Sequence, residues 1–279
     1  MRACATMSGM SLTKGPGPLS TQPAGQTNYA IDGQAHRLLF ESHPRRFRAE
    51  VDGVTVLDTV GGHLLHESNH LPQLYAPFGD LDAERLERTD KRTHCPFKGD
   101  ASYWSVRVGD RVVESAVWAY EDPIEEASWL RGYAVLDWKK ADRWLEEDEE
   151  VLGHLRDPYH RVDVLPSSRR VTVRANGELV AESQRARLLY ETGFPVRAYL
   201  PAEDVVAGLA PSDASTVCPY KGIASYRSVQ LAEGTTVDDA VWIYEDPIPA
   251  AREITGLLAF AGEGIEVEVE PAGAARAVA

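Results

Sequence analysis

The stretch His94-Cys95-Pro96-Phe97-Lys98-Gly99-Asp100-Ala101-Ser102-Tyr103 returns as Val217-Cys218-Pro219-Tyr220-Lys221-Gly222-Ile223-Ala224-Ser225-Tyr226, 123 positions later. A second block, Ala116-Val117-Trp118-Ala119-Tyr120-Glu121-Asp122-Pro123-Ile124, returns as Ala240-Val241-Trp242-Ile243-Tyr244-Glu245-Asp246-Pro247-Ile248, 124 positions later. At the same offset His36-Arg37 falls on His160-Arg161, Gly53 on Gly177, Glu67 on Glu191 and Tyr75 on Tyr199. Self-similarity over nearly the whole of each half marks a duplicated domain. The expected layout is a first repeat over residues 28–150 and a second over residues 151–271. Residues 1–27, rich in Gly, Pro, Ser and Thr, and residues 272–279 read as tails too poor in apolar side chains to pack.

The chain has 279 residues, and 43 acids against 29 bases leave a net charge of −14. Each repeat is long enough to bury its own core. A hydrophobic fraction of 43% with 26% charged residues is globular composition and excludes a wholly disordered chain. No apolar run approaches the ~18 residues that span a bilayer, so no membrane partner is expected. The acidic balance argues against nucleic acid, whose phosphates demand lysine and arginine. Three cysteines cannot build a disulfide framework and point to the reducing cytoplasm; Cys4, in the tail, reads as incidental.

Turn residues then set the fold class. Arg46 to Val51 and Val54 to Asp58 flank Asp52-Gly53, and Arg170 to Ala175 and Glu178 to Glu182 flank Asn176-Gly177. Both dipeptides supply the two positive φ angles of a type I′ hairpin. Tyr103 to Val108 and Val112 to Tyr120 form another hairpin around Gly109-Asp110, and Ile265 to Glu270 alternates as a strand should. Helix is expected only over Ile124–Arg131, Asp137–Glu147 and Pro249–Gly256. The prediction is an all-β, mostly antiparallel protein with few short helices, in two tandem copies. The run Glu146-Glu147-Asp148-Glu149-Glu150 reads as a solvated helix end or linker, with an acidic docking site as the sharper alternative.

Lysine and cysteine are spent sparingly. There are 6 lysines against 23 arginines, Lys221 is the sole lysine of the second repeat, and Cys95 and Cys218 are the only cysteines outside the tail. Both residue types nevertheless recur in one loop, which marks Lys98, Lys221, Cys95 and Cys218 as candidate site residues. A lysine three residues on can favour the thiolate of a nucleophilic cysteine. The plainer reading is a buried cysteine packing as a small hydrophobe beside a lysine that snorkels. Proline and aromatic neighbours favour burial, so both thiols are expected to be largely inert. His94 beside Cys95 has no counterpart at Val217, and neighbours on a strand face opposite ways. One cysteine per repeat cannot supply the four ligands of a structural zinc site, so no metal and no cofactor are expected.

Glu67 and Glu191 each sit in an otherwise apolar strand and need a cationic partner. Each is expected beside its loop lysine, as a structural pair or as a general base. Trp118 and Tyr120, like Trp242 and Tyr244, share a strand face; with Tyr103 and Tyr226 these rings are candidate ligand contacts, or simply core. Glu121, Asp122, Glu245 and Asp246, at the strand end, are alternative partners for the lysine or caps for the helix expected next in the chain.

These residues resemble the bacterial and fungal family known as domain of unknown function 427. The resemblance rests on Thr93 to Ser105, the aromatic-Glu-Asp-Pro strand, Leu189-Tyr190-Glu191-Thr192-Gly193-Phe194-Pro195 and Asp157-Pro158-Tyr159-His160-Arg161-Val162-Asp163. It implies a small β-rich domain, compatible with the tent-like fold of zinc-bound methionine sulfoxide reductases but without the zinc cysteines. It implies no established activity. An alternative family label suggests nucleotidyl transfer, which wants paired acids on magnesium. The nearest candidate, Asp80-Leu81-Asp82, becomes Glu203-Asp204-Val205, so the spacing is lost. The repeats also diverge. The first has Glu67-Ser68-Asn69-His70-Leu71 where the second keeps Glu191-Thr192-Gly193-Phe194-Pro195, and Arg227 replaces Trp104. The expected function is a small-molecule pocket at the Cys-Pro-aromatic-Lys-Gly loop, binding or acting on an anionic or electrophilic metabolite. The rival is a structural or protein-interaction scaffold in which that loop merely closes the domain.

Overall fold

The computed structural model describes residues 36–271; the readings of both tails, Cys4 included, lie outside them. The chain forms two units that divide between Tyr159 and His160. Val151 and Leu155 are buried in the first unit's core, so that unit extends past the expected junction at Glu150.

The first unit holds β1 (Leu38–Ser42), β2 (Phe47–Val51), β3 (Val54–Thr59), β4 (His63–Glu67), β5 (Gln73–Pro77), β6 (Leu86–Cys95), β7 (Gly99–Val108), β8 (Arg111–Pro123), β9 (Tyr133–Leu136), β10 (Arg143–Glu146) and β11 (Glu149–Glu150). The second holds β12 (Val162–Pro166), β13 (Val171–Ala175), β14 (Glu178–Ser183), β15 (Arg187–Glu191), β16 (Arg197–Leu200), β17 (Gly208–Cys218), β18 (Gly222–Gln230), β19 (Thr236–Ile243), β20 (Leu258–Phe260) and β21 (Ile265–Val269). Each unit has a seven-stranded sheet, ordered β1-β4-β5-β9-β8-β7-β6 and β12-β15-β16-β20-β19-β18-β17. A smaller sheet accompanies each, β11-β10-β2-β3 and β14-β13-β21. The two large sheets have one strand order, as a duplication requires, and the fold is all-β and antiparallel. Among the described residues no helix is long and apolar enough to cross a membrane.

The turn chemistry works as the sequence predicts. Asp52 and Gly53 sit at φ 49° and 71°, and Asn176 and Gly177 at 49° and 86°. Side chains alternate across the pleat of the large sheet. In the first unit Leu64, Leu74, Val106 and Val117 face the small sheet and meet Phe47 and Leu57. Their neighbours Leu65, Tyr75, Tyr103, Trp118 and Tyr120 face the other way and form a second cluster. The second unit repeats this with Leu188 and Val241 inward, and Leu189, Tyr199, Trp242 and Tyr244 outward.

Two of the expected helices are short 3₁₀ turns, Glu125–Leu130 and Pro249–Ile254. The third is a correction. Asp137–Glu147 is a 3₁₀ turn at Trp138–Lys140 followed by strand β10, which pairs with β2 through Arg143↔Glu50 and Glu146↔Phe47. Trp138 and Trp144 stack across that turn with centroids 4.2 Å apart, spending on tertiary packing the apolar pattern that suggested a helix. In the acidic run Glu147 to Glu150 are exposed, as a solvated segment should be, and Glu146 alone departs from that reading. Glu146 is only 4% exposed and is bound by Arg45 (2.5 Å) and Arg156 (2.6 Å). Burial opposes its charge, but His43 and the two guanidiniums prevail and bring its carboxyl down to about 2. Asp148 pairs with Arg48, Glu149 with Arg156 and Glu150 with Arg143.

Candidate functional site

The Cys-Pro-aromatic-Lys-Gly motif is the turn that joins β6 to β7. Cys95 pairs with Gly99, and the Lys98 amide donates to the Cys95 carbonyl (3.2 Å). Gly99 has φ +102°, and a Cβ there would lie 3.3 Å from the Ile124 nitrogen, so only glycine lets the β8 end close over the turn. The Ile124 amide then donates to the Lys98 carbonyl (3.2 Å), clamping the turn. The second repeat builds the same device with Cys218–Gly222, Lys221 N to Cys218 O (3.3 Å) and Ile248 N to Lys221 O (3.0 Å).

This clamp sends the lysine inward. Lys98 is 7% exposed and its ammonium donates to Glu67 Oε2; Lys221, 8% exposed, donates to Glu191 Oε2 at 2.6 Å. A histidine takes the other carboxylate oxygen in each repeat: His36 Nε2 donates to Glu67 Oε1 (2.8 Å) and His160 Nε2 to Glu191 Oε1 (3.0 Å). Each imidazole stacks on the loop aromatic, His36 on Phe97 (3.9 Å between centroids) and His160 on Tyr220 (4.0 Å). The histidine segment is held by a hydroxyl: Arg37 N donates to Ser68 Oγ (2.8 Å) and Arg161 N to Thr192 Oγ1 (2.9 Å). The diverged segments after Glu67 and Glu191 thus keep that function, and each repeat completes its own cluster.

Charge balance sets the chemistry. Burial works to raise the Glu67 carboxyl, but the hydrogen bond and charge of Lys98, with help from His36, outweigh it and hold the group below the ordinary glutamate value. Glu191 is held down in the same way, against burial, by His160 and Lys221. Both glutamates are therefore ionised acceptors at neutral pH. The Lys98 ammonium also lies 5.8 Å from the centre of the Tyr120 ring. Burial, with Cys95 adding to it, pushes the Tyr120 phenol up, and burial with Cys218 does the same for Tyr244. Those hydroxyls stay protonated and can donate.

The structure brings the two sets of candidate residues onto one surface, the face of the large sheet turned away from the small one. Cys95, Tyr103, Trp118 and Tyr120 share one cluster there, and Cys218, Tyr226, Trp242 and Tyr244 share its counterpart. Tyr103 and Trp118 are half-buried, with ring centroids 6.5 Å apart. Thr93 and Thr216 meet the hydroxyls of Tyr103 and Tyr226, each at 2.9 Å. Both cysteines are free thiols of intermediate exposure.

Other candidates stand apart. His94 pairs with Asp100 (2.6 Å) on the exposed side of the hairpin. The strand-end acids do not serve the lysine: Glu121 binds Arg88 (2.5 Å), Asp122 binds Arg131 (2.9 Å), and Ser225 donates to Glu245 (3.3 Å). Asp80 accepts from Thr59 (2.6 Å), whereas Asp82 caps a 3₁₀ turn and pairs with Arg85 (2.7 Å), so these two carboxylates serve different turns. The histidines are what residue-by-residue reading missed. Their signal was the match of His36 with His160 at the repeat offset.

A family model described as "Domain of unknown function (DUF427)" matches the chain twice, over residues 39–147 and 163–271. No curated protein matches it.

Proposed function

Because the chain belongs to the DUF427 family through both of its repeats, and that description assigns no activity, we propose that each repeat is a small-molecule-binding domain. Its ligand is a small cytoplasmic metabolite bearing a carboxylate or an electrophilic carbonyl oxygen. The oxygen is received at the lysine–tyrosine end of the outer sheet face, by Lys98 and Tyr120 or by Lys221 and Tyr244. The body of the ligand rests against Tyr103 and Trp118, or Tyr226 and Trp242.

One observation carries this reading: the same buried lysine–glutamate–histidine cluster borders the same aromatic face in both repeats, although neighbouring segments have diverged. A buried ion pair is weak support for stability, since well-packed apolar residues do as well or better. A pure scaffold would have no need to keep it twice. With the carboxylate balancing the ammonium, the cluster adds no net charge beyond what its histidine takes up, and it offers oriented N–H and O–H donors to a polar ligand. Proton exchange along His–Glu–Lys is the chemistry available should the ligand react.

The test is a thermal-shift screen of the full chain against carboxylate- and carbonyl-bearing metabolites. A ligand at 100 times its Kd stabilises by about 2.7 kcal/mol. The reading expects at least one such compound to raise a melting transition, and Lys98→Met with Glu67→Leu to abolish the first repeat's response. Failure of every compound, or an unchanged response in that variant together with its Lys221→Met, Glu191→Leu counterpart, would overturn it.

A further inference from the structure

The first repeat has a cleft beside the end of β8. Strand β8 pairs with β9 only from Val117 to Ala119 and then continues to Pro123 with β7 as its partner, leaving its β9 side open. The gap opens into a cavity of about 380 Å³, within the ~300–1,000 Å³ range of small-ligand sites. Phe78, Trp104, Tyr120 and Tyr133 wall it, and Arg88 and Glu121 stand in its lining as the charged pair. In the second repeat the same seam is sealed by a hydrogen bond from Gly256 N to Tyr244 O (3.0 Å). The wall residues there are replaced by Ala202, Arg227 and Leu257 at the positions of Phe78, Trp104 and Tyr133.

The charged pair is built with care. Arg88 lies over the Trp104 ring at 5.3 Å and reaches Glu121 through Nη1 (3.1 Å) and Nη2 (2.5 Å). Ser102, 5% exposed, donates to Glu121 from behind. In the second repeat Arg227 reaches Glu245 at 3.6 Å from a different strand, and Ser225 takes the place of Ser102. An arginine–glutamate–serine set therefore stands in both repeats, but only the first surrounds it with aromatic walls.

From this geometry we infer that the cleft of the first repeat binds a small aromatic zwitterion of the free aromatic amino-acid class. The ammonium goes to Glu121, the carboxylate to Arg88, and the ring lies against the wall that Phe78 and Trp104 form together, beside Tyr133. Chemistry favours a zwitterion because the lining offers one charge of each sign side by side at half-exposed positions (50% and 45% of side-chain area). A carboxylate has about four acceptor sites and a guanidinium five donors, so each keeps capacity for a ligand while the pair persists. A simple anion would face Glu121, and a simple cation would face Arg88. The cleft shares the Tyr120 ring with the Lys98 cluster but takes its charges from Arg88 and Glu121, and it does not rest on the function proposed for that cluster.

The experiment is calorimetric titration of the full chain with L-phenylalanine and L-tryptophan, with phenylacetate and phenethylamine as probes carrying one charge each. Both amino acids are expected to bind at one site per chain, and both single-charge probes about tenfold more weakly or worse. Trp104→Arg and Tyr133→Leu, which install the second repeat's own residues, should each lower the amino-acid affinity by at least about tenfold. The inference is overturned by no binding of either amino acid at millimolar concentration, by phenylacetate binding as tightly as phenylalanine, or by unchanged affinity in Tyr133→Leu. The last readout stands even if Trp104→Arg fails to fold.

Discussion

Replacing Lys221 by methionine leaves the Glu191 carboxylate, 9% exposed along its side chain, with the His160 imidazole as its remaining partner in the cluster. Removing one partner of a buried ion pair costs about 3–5 kcal/mol, because the other charge stays desolvated. The hydrogen bond from His160 offsets part of this, so the expected loss at neutral pH is about 3 kcal/mol, at the lower end of that range. In a domain of this size that corresponds to a fall of very roughly 10–15 °C in the melting point. Calorimetry on the full chain reads the shift, and hydrogen exchange on peptides of the second repeat assigns it to that unit. Lys221→Met combined with Glu191→Leu removes both charges and should recover most of the loss, to within about 1 kcal/mol of the parent. The pH dependence has a definite sign. Glu191 titrates below its ordinary 4.5 in the parent, so its contribution is present above 4.5 and is lost as pH falls through the lower, folded value. In Lys221→Met the lysine's part of that depression is lost while the hydrogen bond from His160 remains, so the carboxyl takes up its proton at a higher pH than in the parent. The deficit of the variant should therefore shrink between pH 7 and pH 4. A loss under about 1 kcal/mol, or a double variant as unstable as the single one, would refute the reasoning.

Three further outcomes are expected. With Cys4 replaced by serine, iodoacetamide at neutral pH should modify Cys95 and Cys218 far more slowly in the folded chain than after denaturation, since both pack into apolar clusters; mass spectrometry tracks the labelling. Arg156→Met should destabilise the first repeat alone, by about 2–3 kcal/mol, because it strips a guanidinium from buried Glu146. Glu146, with its carboxyl near 2, contributes fully above 4.5, so the difference between parent and Arg156→Met, measured by denaturation against pH, should persist from pH 8 to pH 5. Metal analysis of untagged protein should find less than one zinc per chain, as one cysteine per repeat cannot furnish a structural site.

How much of this was readable in the residues depends on whether the signal was local or repeated. The Asp52-Gly53 and Asn176-Gly177 hairpins were readable because a type I′ turn is written in two adjacent residues. The lysine–glutamate pairing was readable from an imbalance, a lone acid in an apolar strand and a lysine kept where arginine is otherwise preferred. Strand β10 was misread because Trp138, Trp144 and Leu145 have a spacing that also suits a helix; the corresponding segment of the second repeat, Ile265–Val269, alternates plainly and would have corrected it. Glu146 looked solvated because it stands among four other acids, while the Arg45 that buries it lies 101 positions away. No local pattern reports a contact of that range. The first repeat's cleft draws its walls from separate strands and turns, Phe78, Trp104, Tyr120 and Tyr133, a convergence that turn and strand propensities do not encode.

The most direct measurement is a carbon-13 NMR titration of the glutamate side-chain carboxyls in the full chain, with Glu67→Gln and Glu191→Gln used to assign the two signals. A charged lysine–glutamate pair, buried and repeated, requires both groups to titrate below 4.5. Both should also lose that depression when their own lysine is replaced by methionine. Either glutamate titrating at or above 4.5 in the parent protein would mean that burial wins over the lysine, and the repeated ion-pair cluster on which the proposed site stands would be contradicted.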